Sequence, residues 1–206
     1  MTLSDVIRSN PAIKKFVHRL LIPKNGYSPR LWVKLLVNPL KHHKGKGSRI
    51  SWKARTDVFP FNRFSLGNRS VIEAFSVINN GVGDVIIGDH SIIGIGDVII
   101  GPVKIGNNVM LAQHVVLSGL NHEYRDINMP PKDQGVTTRQ ITIDDNVWIG
   151  ANSIVTAGVH IGKHAVIGGG SVVTKDIPDH CVAAGNPAKV VKRYNFDTQS
   201  WEKVCV

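Results

Sequence analysis

Acidic residues are almost absent from the first quarter of this chain of 206 residues. Residues 1–55 hold 13 Lys and Arg against one acid, Asp5, whereas the remainder is nearly neutral at −2. A head of +12 favours an anionic partner, either a lipid surface, a nucleic acid or a phosphorylated substrate, or it is a solvated basic helix. Cysteine is also scarce. Cys181 and Cys205 make no CxxC pair and no disulfide framework, which excludes a disulfide-stapled scaffold and suits a reducing cytoplasm. No apolar run approaches the roughly 18 residues that a membrane span needs. The opening MTLSDVIRSN lacks the basic patch and apolar core of a secretory signal, so a cytoplasmic location is expected. With 42% hydrophobic residues, a sizeable core is within reach.

What the chain does have is a rhythm. Leu66, Ile72 and Ile78 are six apart; after three extra residues come Ile87, Ile93, Ile99, Ile105, Leu111 and Leu117. A longer gap precedes Ile143, Ile149, Val155, Ile161, Ile167 and Val173. Seven of these 15 positions are followed directly by Gly, and small or β-branched residues such as Ser70, Ser76, Ser91 and Ser153 stand four residues on. A period of six is neither helical nor a plain strand alternation. It predicts a short strand and a tight turn, three of which close a coil of about 18 residues, stacked as a β-solenoid. The aliphatics fill the interior, and the glycines and asparagines are expected where turns need unusual φ/ψ. Handedness does not follow from the pattern.

The ends differ. Apolar and basic residues over 4–22 predict a helix, and SPRLWVKLLV predicts a second helix over 28–37 opening at Pro29. HHKGKG, 42–47, reads as a linker and 48–65 as an irregular first coil. The expected organisation is a basic helical extension over 1–47, a β-helix over 48–185, and a tail over 186–206 holding a short helix or strand. Coils framed as 105–122 and 143–160 make His122 the last residue of a coil. Residues 123–142 are then extruded as a loop containing Pro130, Pro131 and Gly135.

IGNNVMLAQHVVLSGLNHEY, and ITIDDNVWIGANSIVTAGVHIGKHAVIGGGSVVTKDIPDHCVAAGNPAKVVK after it, resemble the hexapeptide-repeat acyltransferases. The resemblance is to the sugar O-acetyltransferases of galactoside, maltose, nodulation-factor and capsule or colanic-acid type. It covers about residues 66–193 and is most specific over 143–193. It implies a left-handed parallel β-helix, a homotrimer with active sites between neighbouring subunits, and acetyl-CoA as donor.

The same resemblance implies roles for single residues. His122, after the LSG strand at the base of the loop, matches the catalytic base. The chemistry suits an imidazole: a sugar hydroxyl must lose its proton as it attacks a thioester, and a group with pKa near 6.5 can take it. Direct transfer without an acyl-enzyme is expected, since neither cysteine lies in a nucleophilic setting. Asn79 and Asn80 resemble an asparagine that binds the acceptor or orients the site, but they serve equally as turn residues. Asp97, Glu123 and Asp126 are further candidates to orient His122. Trp148 matches a tryptophan flanking acceptor and pantetheine. Ala151 and Gly169 match positions whose backbone lies against the pantetheine arm. Thr174, Lys175, Lys189 and Lys192 match a polar and basic cluster around the CoA phosphates, with lysine as a point charge where relatives often carry arginine.

Other functions remain in view. The same base would serve amino-sugar N-acetylation. A zinc enzyme on this fold needs three converging histidines; His114 and His122, and His160 and His164, are the available pairs, and in the repeat frame the last two point differently. No metal is expected. A non-catalytic scaffold docked on a membrane is a third reading, because KKFVHRLL and LWVKLLV set cations beside Trp32 and aliphatics. No aromatic-interleaved basic groove marks the coils, so nucleic acid is not the expected partner. The resemblance implies a sugar acceptor, and the basic head adds a lipid-linked glycan precursor as an expectation, with its identity left open by the sequence.

Overall fold

The computed structural model describes residues 10–24, 26 and 28–204. Each six-residue step lays down a strand of two or three residues and a corner. Successive coils pair in parallel, with Ile105 beside both Ile87 and Ile143. The strands form three sheets, the faces of a prism wound through about six turns. Face I runs from His43–Lys44 to His160–Ile161, face II from Arg49–Ile50 through Trp148–Ile149 and Val166–Ile167 to Cys181–Ala184, and face III from Arg55–Asp57 to Val172–Val173.

All 15 repeating aliphatics point inward and are at most 2% exposed. Each such burial is worth about 1.5–3 kcal/mol. The residue four places on is the second inward position. At Ser70 and Ser76 the hydroxyl is satisfied by the next coil: Ser70 Oγ donates to the Gly88 carbonyl at 2.7 Å and Ser76 Oγ to that of Gly94 at 2.8 Å. A buried hydroxyl without such a partner would be costly.

The glycines after the aliphatics differ from expectation in their reason. They do not carry the left-handed φ. A Cβ at Gly94 would stand 2.5 Å from the Ala112 carbonyl oxygen of the next coil, so only glycine lets the coils stack at that corner. The left-handed φ falls two residues later, on Asn108, Asn146 and Asn152 and on His90, His114, His164 and His180. Four of the nine histidines are therefore corner residues.

Helix α1 spans Pro11–Leu21. Asn10 is extended and its Oδ1 accepts from the Ala12 and Ile13 N–H groups at 3.0 and 3.2 Å. The expected helix over 4–22 is therefore shorter at its start, because Asn10 caps it and Pro11 has no N–H to continue an earlier helix. Residues 4–9 lie outside the described residues. The second helix also shifts, covering residues 31–41 rather than 28–37. It includes a π turn, Val33–Val37, before Asn38–Lys41. The Asn38 N–H reaches back five residues to the Val33 carbonyl, and this wider turn accommodates Pro39, which has no N–H to give.

Residues 42–47 are not a linker. His43–Lys44 is the first strand of face I, paired with Ser65 and Leu66. At the other end, the expected tail continues face II. Lys189–Asn195 turns back antiparallel to Cys181–Ala184, and Ser200–Lys203 pairs with it in turn. The extruded loop is partly ordered into a ribbon of Leu120–His122 against Val136–Thr138. His122 thus lies beyond the coil, which ends at Ser118, rather than closing it.

Candidate active site

His122 stands on the edge where face III turns toward face I. The chain leaves this edge at Gly119, where a Cβ would meet the Pro102 backbone at 2.7 Å, and returns at Ile141. The ribbon between raises the imidazole into solvent. It borders a cleft of about 540 Å³ lined by Asn121, Glu123, Tyr124, Arg125, Thr137, Arg139 and Ala157. The imidazole has no hydrogen-bond partner among the described residues. None of the expected orienting groups supplies one. Glu123 lies 3.9 Å from Arg125, and Asp126 Oδ1 accepts from the Asn128 N–H at 2.9 Å.

Asp97 is inside the prism, at the position serine takes in other coils, and cannot orient a solvent-facing imidazole. Its carboxyl accepts from the Gly94 and Val115 N–H groups, both at 2.7 Å. Burial pushes its pKa up to about 7, against the pull of those two N–H donors.

The two asparagines separate. Asn80 is fully buried, and its amide spans the Phe59 N–H, the Phe59 carbonyl and the Asn62 carbonyl at 2.7–3.0 Å. It clamps the loop over 58–63 and has nothing left for a ligand. Asn79 ends a strand of face III on the His122 edge, in register through Ile100 with Ser118, and its Oδ1 accepts from the Gly81 N–H at 2.7 Å. Thr174 and Lys175 follow the last strand of face III on this same edge, exposed to solvent.

Trp148 lies elsewhere, on face II, 47% exposed. Its register is informative. Ile92, Met110, Trp148, Val166, Val182, Lys192 and Lys203 stand side by side on successive strands. Beyond Ile92 the row continues through Val71 to Arg49, so it is apolar along its middle and cationic at both ends, with two cations at the Lys192 end. Three strand spacings put Lys192 about 14 Å from Trp148. Ala151 and Gly169 are stacked on the neighbouring corner, where the Gly170 N–H donates to the Ala151 carbonyl at 2.8 Å. Lys189 pairs with Ala184 at the same margin. The expected phosphate cluster is therefore split within one chain: Lys189 and Lys192 belong to face II, and Thr174 and Lys175 to the His122 edge. Lys203 and the row itself escaped the sequence reading, because antiparallel register in the tail has no hexapeptide signal.

Cys181 is buried, which raises its thiol pKa and makes it a poor nucleophile. Cys205 is outside the described residues. No three His, Cys, Asp or Glu side chains converge as a metal ion would require among the described residues. His160 Nε2 lies 2.8 Å from Asp144 Oδ2, and His164 stacks on His180 with 5.2 Å between ring centroids.

Comparison with known proteins agrees with this architecture. A family model described as the hexapeptide repeat of succinyl-transferase matches residues 84–118 and 140–175. The galactoside O-acetyltransferase of Escherichia coli K12 is 44% identical over 97 residues, 45% of either chain. The chain thus spans about half the length of that relative. Among solved structures, a maltose O-acetyltransferase from Clostridium difficile 630 superposes with a TM-score of 0.54 at 26% identity, covering 92% of this chain and 88% of the other. AntD, an N-acyltransferase from Bacillus cereus solved with dTDP-4-amino-4,6-dideoxyglucose and coenzyme A, gives 0.67 at 22% identity, covering 79% and 89%; at that identity it speaks for the fold alone. The chain is thus similar, in its repeats over 84–118 and 140–175 and in its solenoid, to hexapeptide-repeat proteins that include sugar O-acetyltransferases.

Proposed function

We propose that the protein moves an acetyl group from acetyl-CoA to a hydroxyl of a sugar or glycan precursor, at sites formed between the subunits of a homotrimer. The observation that carries this reading is the face II row, apolar from Ile92 to Val182 and cationic at Lys192 and Lys203. Such a strip suits a long, weakly polar arm ending in phosphates. Trp148, Val166 and Val182 would lie along the pantetheine, with the small Ala151 and Gly169 letting it close on the corner. Lys189, Lys192 and Lys203 would face the phosphates as point charges. Thr174 and Lys175, on the other edge, would reach the donor only from a neighbouring subunit.

The base and the donor strip stand on different parts of one prism, which is the reason to propose an inter-subunit site. His122 on the edge of one subunit would face the strip of the next. There its imidazole takes the proton of the acceptor hydroxyl as the oxygen attacks the thioester carbonyl. The carbon–sulfur bond then breaks, and the imidazolium returns the proton to the departing thiolate. General base catalysis contributes about 10²–10⁴-fold, and juxtaposition of donor and acceptor the larger part. Asn79, on the same edge, would contact the acceptor.

The test is thiol release from acetyl-CoA across a panel of sugars and amino sugars, with His122→Ala as control. Turnover with hydroxyl acceptors that falls at least a hundredfold in the variant supports the reading. Turnover only with amines would move the assignment to N-acetylation. Turnover unchanged in His122→Ala would remove the base from its role.

A further inference from the structure

We infer that the two N-terminal helices form a docking surface for an anionic lipid bilayer. The helices have already made their contacts with the solenoid and with each other. Leu21 and Val33 are buried, the His18 ring stacks on Phe61 at 5.4 Å, and the Arg30 N–H donates to the Leu21 carbonyl at 2.9 Å. Large apolar side chains are left over on the outside. Phe16 and Leu20 in α1, and Leu31, Leu35, Leu36 and Leu40 in the second helix, are between 50% and 86% exposed. Leu31 and Leu35 are four apart, as are Leu36 and Leu40, so the second helix carries two adjacent apolar rows. A cap that merely closed the end of the solenoid would turn these leucines inward.

The charge around them selects the occupant. Residues 10–56 contain 12 Lys and Arg and no Asp or Glu. Lys15, Arg19, Arg30 and Lys41 are exposed and make no ion pair with any described residue. A second copy docked helix to helix would set like charges against each other. A nucleic acid would answer the cations but not the leucines. An anionic bilayer takes both, leucines into the acyl boundary and cations onto the headgroups, as interfacial amphipathic helices do. No described helix is long and apolar enough to cross the membrane, so the contact is peripheral.

This inference is independent of the transferase reading, and its test needs no turnover. The full chain is floated with vesicles of phosphatidylcholine alone or of phosphatidylcholine with phosphatidylglycerol, at low and high salt. The variant is Leu36→Glu with Leu40→Glu, both at exposed positions, and its melting temperature and molar mass are compared with the parent. The expected result is flotation with the anionic vesicles at low salt, little with the neutral ones, and about a tenfold loss in the variant at unchanged melting temperature and mass. Absence of flotation at low salt, or equal flotation by the variant, would overturn the inference. So would a change of molar mass in the variant, which would show the leucines buried between copies.

Discussion

Asp97→Ser should make the protein more stable at alkaline pH and flatten part of its stability profile. In the native state the Asp97 carboxyl is fully buried and its pKa is about 7, against 3.8 for an unperturbed group. Between those values the folded state holds a proton that the unfolded chain has released. Stability therefore falls as pH rises from about 4 to about 7 and is level above that. Three pKa units correspond to about 4 kcal/mol. Serine is the residue other coils use at this position. Ser91 Oγ accepts from the Val109 N–H at 3.0 Å, the counterpart of the Val115 N–H that Asp97 accepts. The substitution keeps that acceptor but gives up the bond to the Gly94 N–H, at about 1 kcal/mol. The net expectation is a gain of about 3 kcal/mol at pH 8, shrinking to zero or a small loss near pH 4.5. Urea unfolding of parent and variant at one protein concentration, from pH 4.5 to 8.5, measures the difference curve. A stability difference that does not change with pH would refute the reasoning, because it would mean that Asp97 titrates alike in the folded and unfolded chain.

Truncating Ile149→Ala, at the centre of the stack, should cost about 2–5 kcal/mol and lower the urea midpoint accordingly. Gly119→Ala brings a Cβ against the Pro102 backbone, so it should displace the ribbon and lose activity while circular dichroism still reports the coils. If sites lie between subunits, mixing inactive His122→Ala with a Trp148→Ala variant and reassembling them should restore a measurable fraction of activity, since some interfaces then pair an intact edge with an intact strip. An assembly as inactive as its components would place base and donor in one chain.

The core was the most legible part of the sequence, since a β-solenoid repeats its demand for an aliphatic at every sixth residue. Leu66 to Val173 meet that demand without exception. His43–Lys44 was misread because the first coil has an open end: Lys44 occupies the place of Leu66 without a coil before it to bury against. The ends of the helices moved for local reasons, Asn10 as a cap and Pro39 as a residue that needs a wider turn. The break at His122 was visible, but the ribbon that carries it was not, because three-residue strands of mixed polarity give no periodic signal. Asn80 resembled a ligand-binding asparagine because a clamped loop and a binding site use the same side chain. Only its three bonds tell them apart.

The central claim is that face II is a CoA strip, and calorimetric titration with CoA tests it without knowledge of the acceptor. Saturable binding is expected with about one site per chain, weakened about tenfold or more by Lys192→Glu and left within a few-fold by His122→Ala. Absence of binding at millimolar CoA, or binding indifferent to Lys192→Glu, would contradict it.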